Sequence, residues 1–371
     1  MLPSASRRHC LTSLATKPGV SAGSCRALKT SQVRPLLQQP FTIHQSLSFS
    51  LSSSSSSTLR QYSTSPKLQI SSELKMAAQQ NNEMFKLSEL FNVKDKVALI
   101  TGGGSGIGLM ATQALAVNGA KVYIVGRTSE KLDRVAELYG KNIPGQIIPI
   151  NADISKKEEM QKLVKEIESR EKHVSILINN AGISSTTTAT EPEDPHELRK
   201  NLFDQEAANV EDWENVWRTN VYQLYLMTTA FLPLLQKGTE AEYGFSSTVI
   251  NISSISGIVK TSQHHFAYNA SKAAAIHLNR MLAHEVASSN LKIRINNIAP
   301  GVFPSEMTAG ESDEKQKSAI PREKYESKVP AARPGHERDM ANAVLFAATN
   351  QYVNGQTIVV DGGYVLAAGT V

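Results

Sequence analysis

The chain has 371 residues, with 39 Lys plus Arg against 34 Asp plus Glu, a formal charge of +5 and a pI near 9.0. At 40% hydrophobic and 20% charged it has a globular composition, and no stretch reaches the roughly 18 apolar residues of a membrane span. The charge is unevenly placed. Residues 1 to 72 carry Arg7, Arg8, Lys17, Arg26, Lys29, Arg34, Arg60 and Lys67 and no acid, so the other 31 bases face all 34 acids and the body stands at −3. A mildly acidic body argues against nucleic-acid binding, which needs a basic face on the folded part. Both cysteines, Cys10 and Cys25, precede the body, which excludes disulfides, thiolate metal sites and cysteine nucleophiles there.

Residues 1 to 75 read as a disordered leader, rich in Ser, Leu and Arg, with six consecutive serines at positions 52 to 57. An acid-free basic segment has the profile of a mitochondrial transit peptide, drawn toward a matrix that is negative inside. Arg60, Gln61, Tyr62 and Ser63 match a matrix-protease pattern with cleavage after Tyr62. The competing reading is a disordered extension with no address, and Met76 could open a shorter cytoplasmic form.

The first predicted strand, Val97 to Ile100, runs into Thr101, Gly102, Gly103, Gly104, Ser105, Gly106, Ile107 and Gly108, then into helix formers from Leu109 to Val117. A buried strand, a glycine turn and a helix form the dinucleotide-binding arrangement. The turn brings backbone close to a pyrophosphate, and the free amides of the helix N-terminus stabilise its charge. A GxxxxGK[ST] phosphate loop is excluded, because Leu109 stands where the lysine is needed. The second strand, Lys121 to Val125, ends on Gly126 and Arg127 instead of the carboxylate that would accept bonds from the ribose hydroxyls of NAD. The guanidinium suits a 2′-phosphate, so the expected cofactor is NADP(H) in preference to NAD(H).

Further strands are predicted at Gln146 to Ile150, Ile176 to Ile178, Thr248 to Ile252, Ile293 to Ile298 and Gln356 to Val360, alternating with helices. This predicts an α/β fold: one doubly wound parallel sheet, a Rossmann fold, with helices on both faces and the site at its carboxyl edge. Two polar segments interrupt the pattern, Ile183 to Val210 and Val302 to Pro334, and the role of the first is open. Trp213 and Trp217 are expected to pack one face of the helix leading to Asn220. His277 and His284 are expected at the surface. Adjacent His264 and His265 point in different directions and lack acidic or cysteine partners at ligand spacing, so no metal site is expected.

In a helix expected over Ala267 to Ala287, Tyr268 and Lys272 lie one turn apart on the same face. A phenol with an ordinary pKa of about 10 is a poor base, and a neighbouring ammonium is expected to lower it. Tyr268 would then donate a proton to a carbonyl oxygen, or remove one from a hydroxyl. Ser254 would hold that oxygen beside the phenol, with Ser253 as a possible substitute.

These landmarks, in order, make the chain from about Phe91 to Gly369 resemble the short-chain dehydrogenase/reductase family. They are Thr101 to Gly108, Asp153, Asn179 to Gly182, Asn220, Asn251 to Ser254, Tyr268 with Lys272, and Pro300 with Gly301. The resemblance implies a catalytic set of Ser254, Tyr268, Lys272 and Asn220. Lys272 would also hold the nicotinamide ribose, and Asn220 a water linking Lys272 to solvent. It implies cofactor contacts from the glycine turn, Arg127, Asp153, Asn180, Tyr268, Lys272, Pro300, Gly301 and Thr308. The stretch Val302 to Pro334 takes the position of the family's mobile substrate loop. Ser254 lies one residue farther from Tyr268 than is commonest, consistent with a longer loop from Gly257 to Phe266.

The implied activity is reduction of a carbonyl to a secondary alcohol, or the reverse, by a homo-oligomer such as a tetramer. The segment Pro300 to Thr308 looks most like the 3-oxoacyl thioester reductase branch; polyol, sugar-acid and steroid-like alcohols are the alternatives. A non-catalytic nucleotide-binding redox sensor is the alternative from another class, and the intact Ser254, Tyr268 and Lys272 argue against it.

Overall fold

The computed structural model describes residues 71–205 and 209–370. Most of the leader, with Cys10, Cys25 and the cleavage point at Tyr62, lies outside the described residues. The leader was expected to end at residue 75, but a helix spans Ser72–Glu83, capped by Ser71, so that boundary falls within a helix. Neither this helix nor Leu87–Leu90 buries a residue, and the first buried side chain among the described residues is Val93.

Seven parallel strands form one sheet: β1 Val97–Thr101, β2 Lys121–Gly126, β3 Gln146–Asn151, β4 Ile176–Asn179, β5 Thr248–Ile252, β6 Arg294–Pro300 and β7 Thr357–Val360. The order is β3-β2-β1-β4-β5-β6-β7, so the chain reverses its direction of winding between β1 and β4. In such a sheet, the loops leaving those two strands splay apart and open a crevice at the carboxyl edge. The doubly wound sheet expected from the alternation is the one observed, with strand ends moved by one or two residues.

The central strands β1, β4, β5 and β6 are buried on both faces, while the edge strands β3 and β7 are only partly covered. Ala98 and Ile100 point to one side, against α1 (Gly106–Ala116), α2 (Ser129–Tyr139) and, with β5 and β6, α7 (Glu337–Thr349). Val97 and Leu99 point to the other, against α3 (Lys157–Arg170), α5 (Gln223–Glu240) and α6 (Phe266–Ser288). The two-residue period of the strand thus feeds two separate cores.

Between β4 and β5 the helical path is not regular. The short helix α4 (Val210–Trp217) passes into α5 through a π-helical turn, Arg218–Tyr222. The extra backbone residue of a π turn re-aims the side chains within it, and here it carries Asn220 inward to 4% exposure. In α4 only Val216 is fully buried, while Trp213 stays 43% exposed. Trp217 is half-buried and Trp213 lines a cavity with Phe266, so the two tryptophans, one turn apart, are only partly packed and Val216 is the side chain of this helix that enters the core.

Candidate active site

The glycine turn is built by exclusion of side chains. A Cβ on Gly108 would lie 2.0 Å from the Gly102 carbonyl oxygen and 2.6 Å from Asn180 Nδ2. Gly102 and Gly106 have φ of +66° and +52°, which favours glycine. Thr101 and Asn180 hold the turn from the side of β4. The Asn180 amide donates to the carbonyls of Thr101 and Gly102 at 3.0 and 3.1 Å, and Thr101 Oγ1 accepts from the backbone amides of Asn180 and Ala181. Ser105 caps α1 in position, and Ile107 packs its side chain on the core. Arg127, at the end of β2, is exposed, and among the described residues its side chain makes no ion pair or hydrogen bond. Asp153 follows β3 and accepts from Ser155 through its amide and hydroxyl. Burial works to raise its carboxyl, but the bonds from Ser155 and Lys156 outweigh that and hold it below its ordinary value.

The second group gathers at the ends of β5 and β6. Ser254 follows β5 and is 8% exposed. Its neighbour Ser253 donates to the Ile298 carbonyl at 3.3 Å and accepts from Asn297 at 2.7 Å, so that hydroxyl is committed to β6. Ser254 is the serine bonded to Tyr268. The Lys272 ammonium lies 5.6 Å from the Tyr268 ring centroid and donates to the Ile252 carbonyl at 3.1 Å. Asn220 donates to the Ile183 carbonyl and to Ser271 Oγ at 3.0 Å each, and accepts from the Ile183 amide at 3.0 Å. A Cβ on Gly182 would sit 3.0 Å from Asn220 Oδ1 and 3.4 Å from Lys272 Nζ, so these two groups face the same small space.

The electrostatics correct one expectation. Lys272 was expected to lower the Tyr268 pKa, but burial raises the phenol, and the Ser254 hydrogen bond only partly opposes it. Lys272 itself is brought from 10.5 to about 8 by burial. Desolvation disfavours the charged form of both groups, and at this separation it dominates.

Beneath the site, a chain of buried amides links strands to helices. Asn179 donates to Thr228 and Asn251 at 3.0 and 2.8 Å, and Asn251 donates to Asn279 on α6 at 2.8 Å. Sequence pattern had marked Asn179 and Asn251 only as landmarks; Asn279 had no signal beyond being a polar residue on the inner face of a helix.

The segment after β6 departs from expectation at Thr308. Its hydroxyl donates to the Phe303 carbonyl at 2.7 Å and accepts from the Ser305 amide at 3.0 Å, so it closes its own loop. Ser305 is the residue that abuts the glycine turn: a Cβ on Gly106 would meet its Cβ at 2.8 Å. The next residue, Glu306, reaches both sides of that turn, accepting from Ser105 Oγ at 3.2 Å and Lys131 Nζ at 2.5 Å, and from Ser312 Oγ at 2.6 Å. Pro300 ends β6, and Gly301 donates to the Val360 carbonyl at 2.8 Å. A Cβ on Gly301 would press on Asp361 Cα at 2.7 Å.

His264 and His265 tie loops together. His264 sits 3.3 Å from both the Thr188 carbonyl and Glu191, and His265 Nδ1 lies 3.2 Å from the Ser185 carbonyl, its ring edge-on to Tyr268. Residues Ser185, Thr188 and Glu191 of the segment Ile183 to Val210 thereby lie against the start of α6. A cavity of about 260 Å³ between them is lined by Thr188, Trp213 and Phe266 among others. His277 and His284 are exposed, as expected.

The short chain dehydrogenase family model matches residues 96–316. Short-chain dehydrogenase/reductase PhomF of Diaporthe leptostromiformis is 38% identical over 288 residues, covering 74% of this chain and 93% of that protein. The rhamnolipids biosynthesis 3-oxoacyl-[acyl-carrier-protein] reductase of Pseudomonas aeruginosa is 34% identical over 278 residues, covering 74% of this chain and 98% of its own. The solved Pseudomonas aeruginosa RhlG/NADP active-site complex superposes with a TM-score of 0.61 at 31% identity, covering 74% of this chain and 98% of that one. With the sheet order, the glycine turn and the Ser254, Tyr268 and Lys272 cluster in place, the chain belongs to the short-chain dehydrogenase/reductase family and is an oxidoreductase acting on CH–OH groups.

Proposed function

We propose that this enzyme is an NADP(H)-dependent carbonyl reductase whose substrates are 3-oxoacyl thioesters. The observation that carries the reading is the cluster of buried Ser254 and Lys272 with half-buried Tyr268 at the carboxyl edge, one crevice away from a glycine turn that side chains would block. The turn fits a dinucleotide: positive φ at Gly102 and Gly106 brings its backbone round to the head of α1, which no other residue type adopts so readily, and among the described residues the exposed Arg127 side chain at the end of β2 has no partner. Thr101, Asn180, Ser105 to Gly108, Arg127 and Lys272 would hold NADP(H), which supplies a hydride when bound.

The chain's own groups manage the oxygen. Burial keeps the Tyr268 phenol protonated at neutral pH, which suits it to donate a proton to the developing alkoxide in the direction of reduction. Ser254 donates to the same oxygen and fixes its position next to the phenol. Lys272, with Asn220 opposite it, stands ready to return a proton toward Tyr268; with a pKa of about 8 it exchanges protons easily near neutrality. Reductases of this substrate class among the relatives support the thioester.

The test is to follow NADPH and NADH absorbance with 3-oxoacyl thioesters, diketones and sugars. Turnover of the thioesters with NADPH is expected; cofactor binding with no turnover of anything would favour the sensor. The leader belongs to the same proposal, as a mitochondrial address tested by imaging residues 1 to 75 fused to a fluorescent protein. A homo-oligomer is supported by exposed Tyr222, Tyr225, Phe266 and Met281 on α5, α6 and the π turn, and is tested by sedimentation.

A further inference from the structure

Glu306 makes contacts that the reaction does not require. It belongs to the segment after β6, yet its carboxylate accepts from Ser105 in the glycine turn and from Lys131 on α2, the helix that follows Arg127. Lys131 also lies close to the turn, its Cβ 3.8 Å from where a Cβ on Gly104 would stand. The ammonium and the hydroxyl are thus two donors on the two elements that frame the phosphate-binding end of the crevice, and one internal anion bridges them. Ser312 on the far side adds a third donor to Glu306, outside the turn. Burial works to raise the carboxyl, but the bonds from Lys131, Ser312 and Ser105 outweigh it, so Glu306 is ionised at neutral pH.

A carboxylate and a phosphate compete for the same donors, and the phosphate brings more charge and more acceptor oxygens. We propose that Lys131 is a phosphate-binding residue of the cofactor site, and that Glu306 is an internal carboxylate that competes with the cofactor phosphate for Lys131 and Ser105. The inference rests on the dinucleotide reading above and goes beyond it by giving the segment after β6 a contact that cofactor binding must break. Linkage then runs both ways: what weakens the Glu306 contacts tightens the cofactor, and bound cofactor frees the segment that covers the substrate site.

The size of the effect follows from exposure. Lys131 and Glu306 are 42% and 33% exposed, so the pair is worth little on its own, on the order of a two- to fivefold change in affinity. Titration calorimetry of the full chain with NADPH and with NADH reads it directly. Glu306→Gln should tighten cofactor about two- to fivefold. Lys131→Ala should weaken it, and Glu306→Gln added to Lys131→Ala should recover only the smaller part that Ser105 contributes.

The two cofactors locate the phosphate. Loss confined to NADPH on Lys131→Ala assigns the 2′-phosphate, and equal loss with both assigns the diphosphate. An unchanged or weaker NADPH affinity in Glu306→Gln would overturn the inference, as would a gain from that substitution just as large without Lys131. A native chain that binds neither cofactor would overturn the dinucleotide reading as well, so the two failures are distinguishable.

Discussion

Lys272 offers the most direct test of how the site is built, because its contribution to stability and its contribution to chemistry have opposite signs. In the fold its pKa is about 8, against 10.5 when exposed, and burial is the cause. A lysine whose folded pKa lies below its unfolded value destabilises the fold wherever it is protonated in both states. The cost is complete below about pH 8 and fades as pH rises toward the unfolded value. The gap corresponds to roughly 3 kcal/mol at pH 7, from about 1.36 kcal/mol per unit. Against this stands the bond to the Ile252 carbonyl at 3.1 Å, worth about 1 kcal/mol net. Lys272→Met, which keeps the length and removes the charge, should therefore stabilise the protein by about 2 kcal/mol at pH 7 while abolishing turnover. By pH 10 the gain should vanish or turn into a small loss, because the native lysine is then largely neutral in the fold. Urea denaturation of both proteins at pH 7, 8.5 and 10 measures the difference, and taking the difference cancels the other titrating groups. A variant no more stable than the native protein at pH 7, or a gap independent of pH, would refute burial as the cause of the shift.

Tyr268→Phe should lower kcat by about 10²- to 10⁴-fold, the range for loss of a positioned acid, and leave cofactor affinity close to native in calorimetry. Asn220→Ala strips three hydrogen bonds and strands both backbone groups of Ile183; a destabilisation of about 2–4 kcal/mol in urea unfolding and a lower kcat are expected. Gly108→Ala forces a Cβ onto a backbone oxygen 2.0 Å away, so the turn must open; about 1–3 kcal/mol of stability and most of the cofactor affinity should go, read by melting with and without NADPH. Arg127→Ala should weaken NADPH by about 2 kcal/mol and NADH little; an unchanged ratio of dissociation constants would remove Arg127 from the phosphate site.

Much of the site was legible because its parts are local. The glycine turn is contiguous, and its function follows from backbone that must approach other backbone, as Gly108 against Gly102 demonstrates. Tyr268 and Lys272 share a helix face, so spacing alone pairs them. Strand positions were readable because parallel strands covered on both faces are mostly apolar, while the glycine and proline punctuation marks their ends.

What could not be read was whatever depends on elements distant in sequence meeting in space. Periodicity places Asn220 on a helix, but only the π turn carries it inward, where it holds the backbone of Ile183. Spacing pairs a lysine with a tyrosine, but the direction of their pKa shifts depends on the surrounding burial, and desolvation outweighed the attraction expected of the pair. Thr308 matched by position, yet the loop's own cap took its hydroxyl and left Ser305 against the glycine turn. Sequence by itself determined the family, the sheet and the pairing of Tyr268 with Lys272 on one helix face, since these are set by residue type and short-range spacing. Tertiary structure alone decided their protonation and the Glu306 bridge between the glycine turn and the segment after β6, because both are set by which groups distant in sequence meet in space, and no local pattern encodes that.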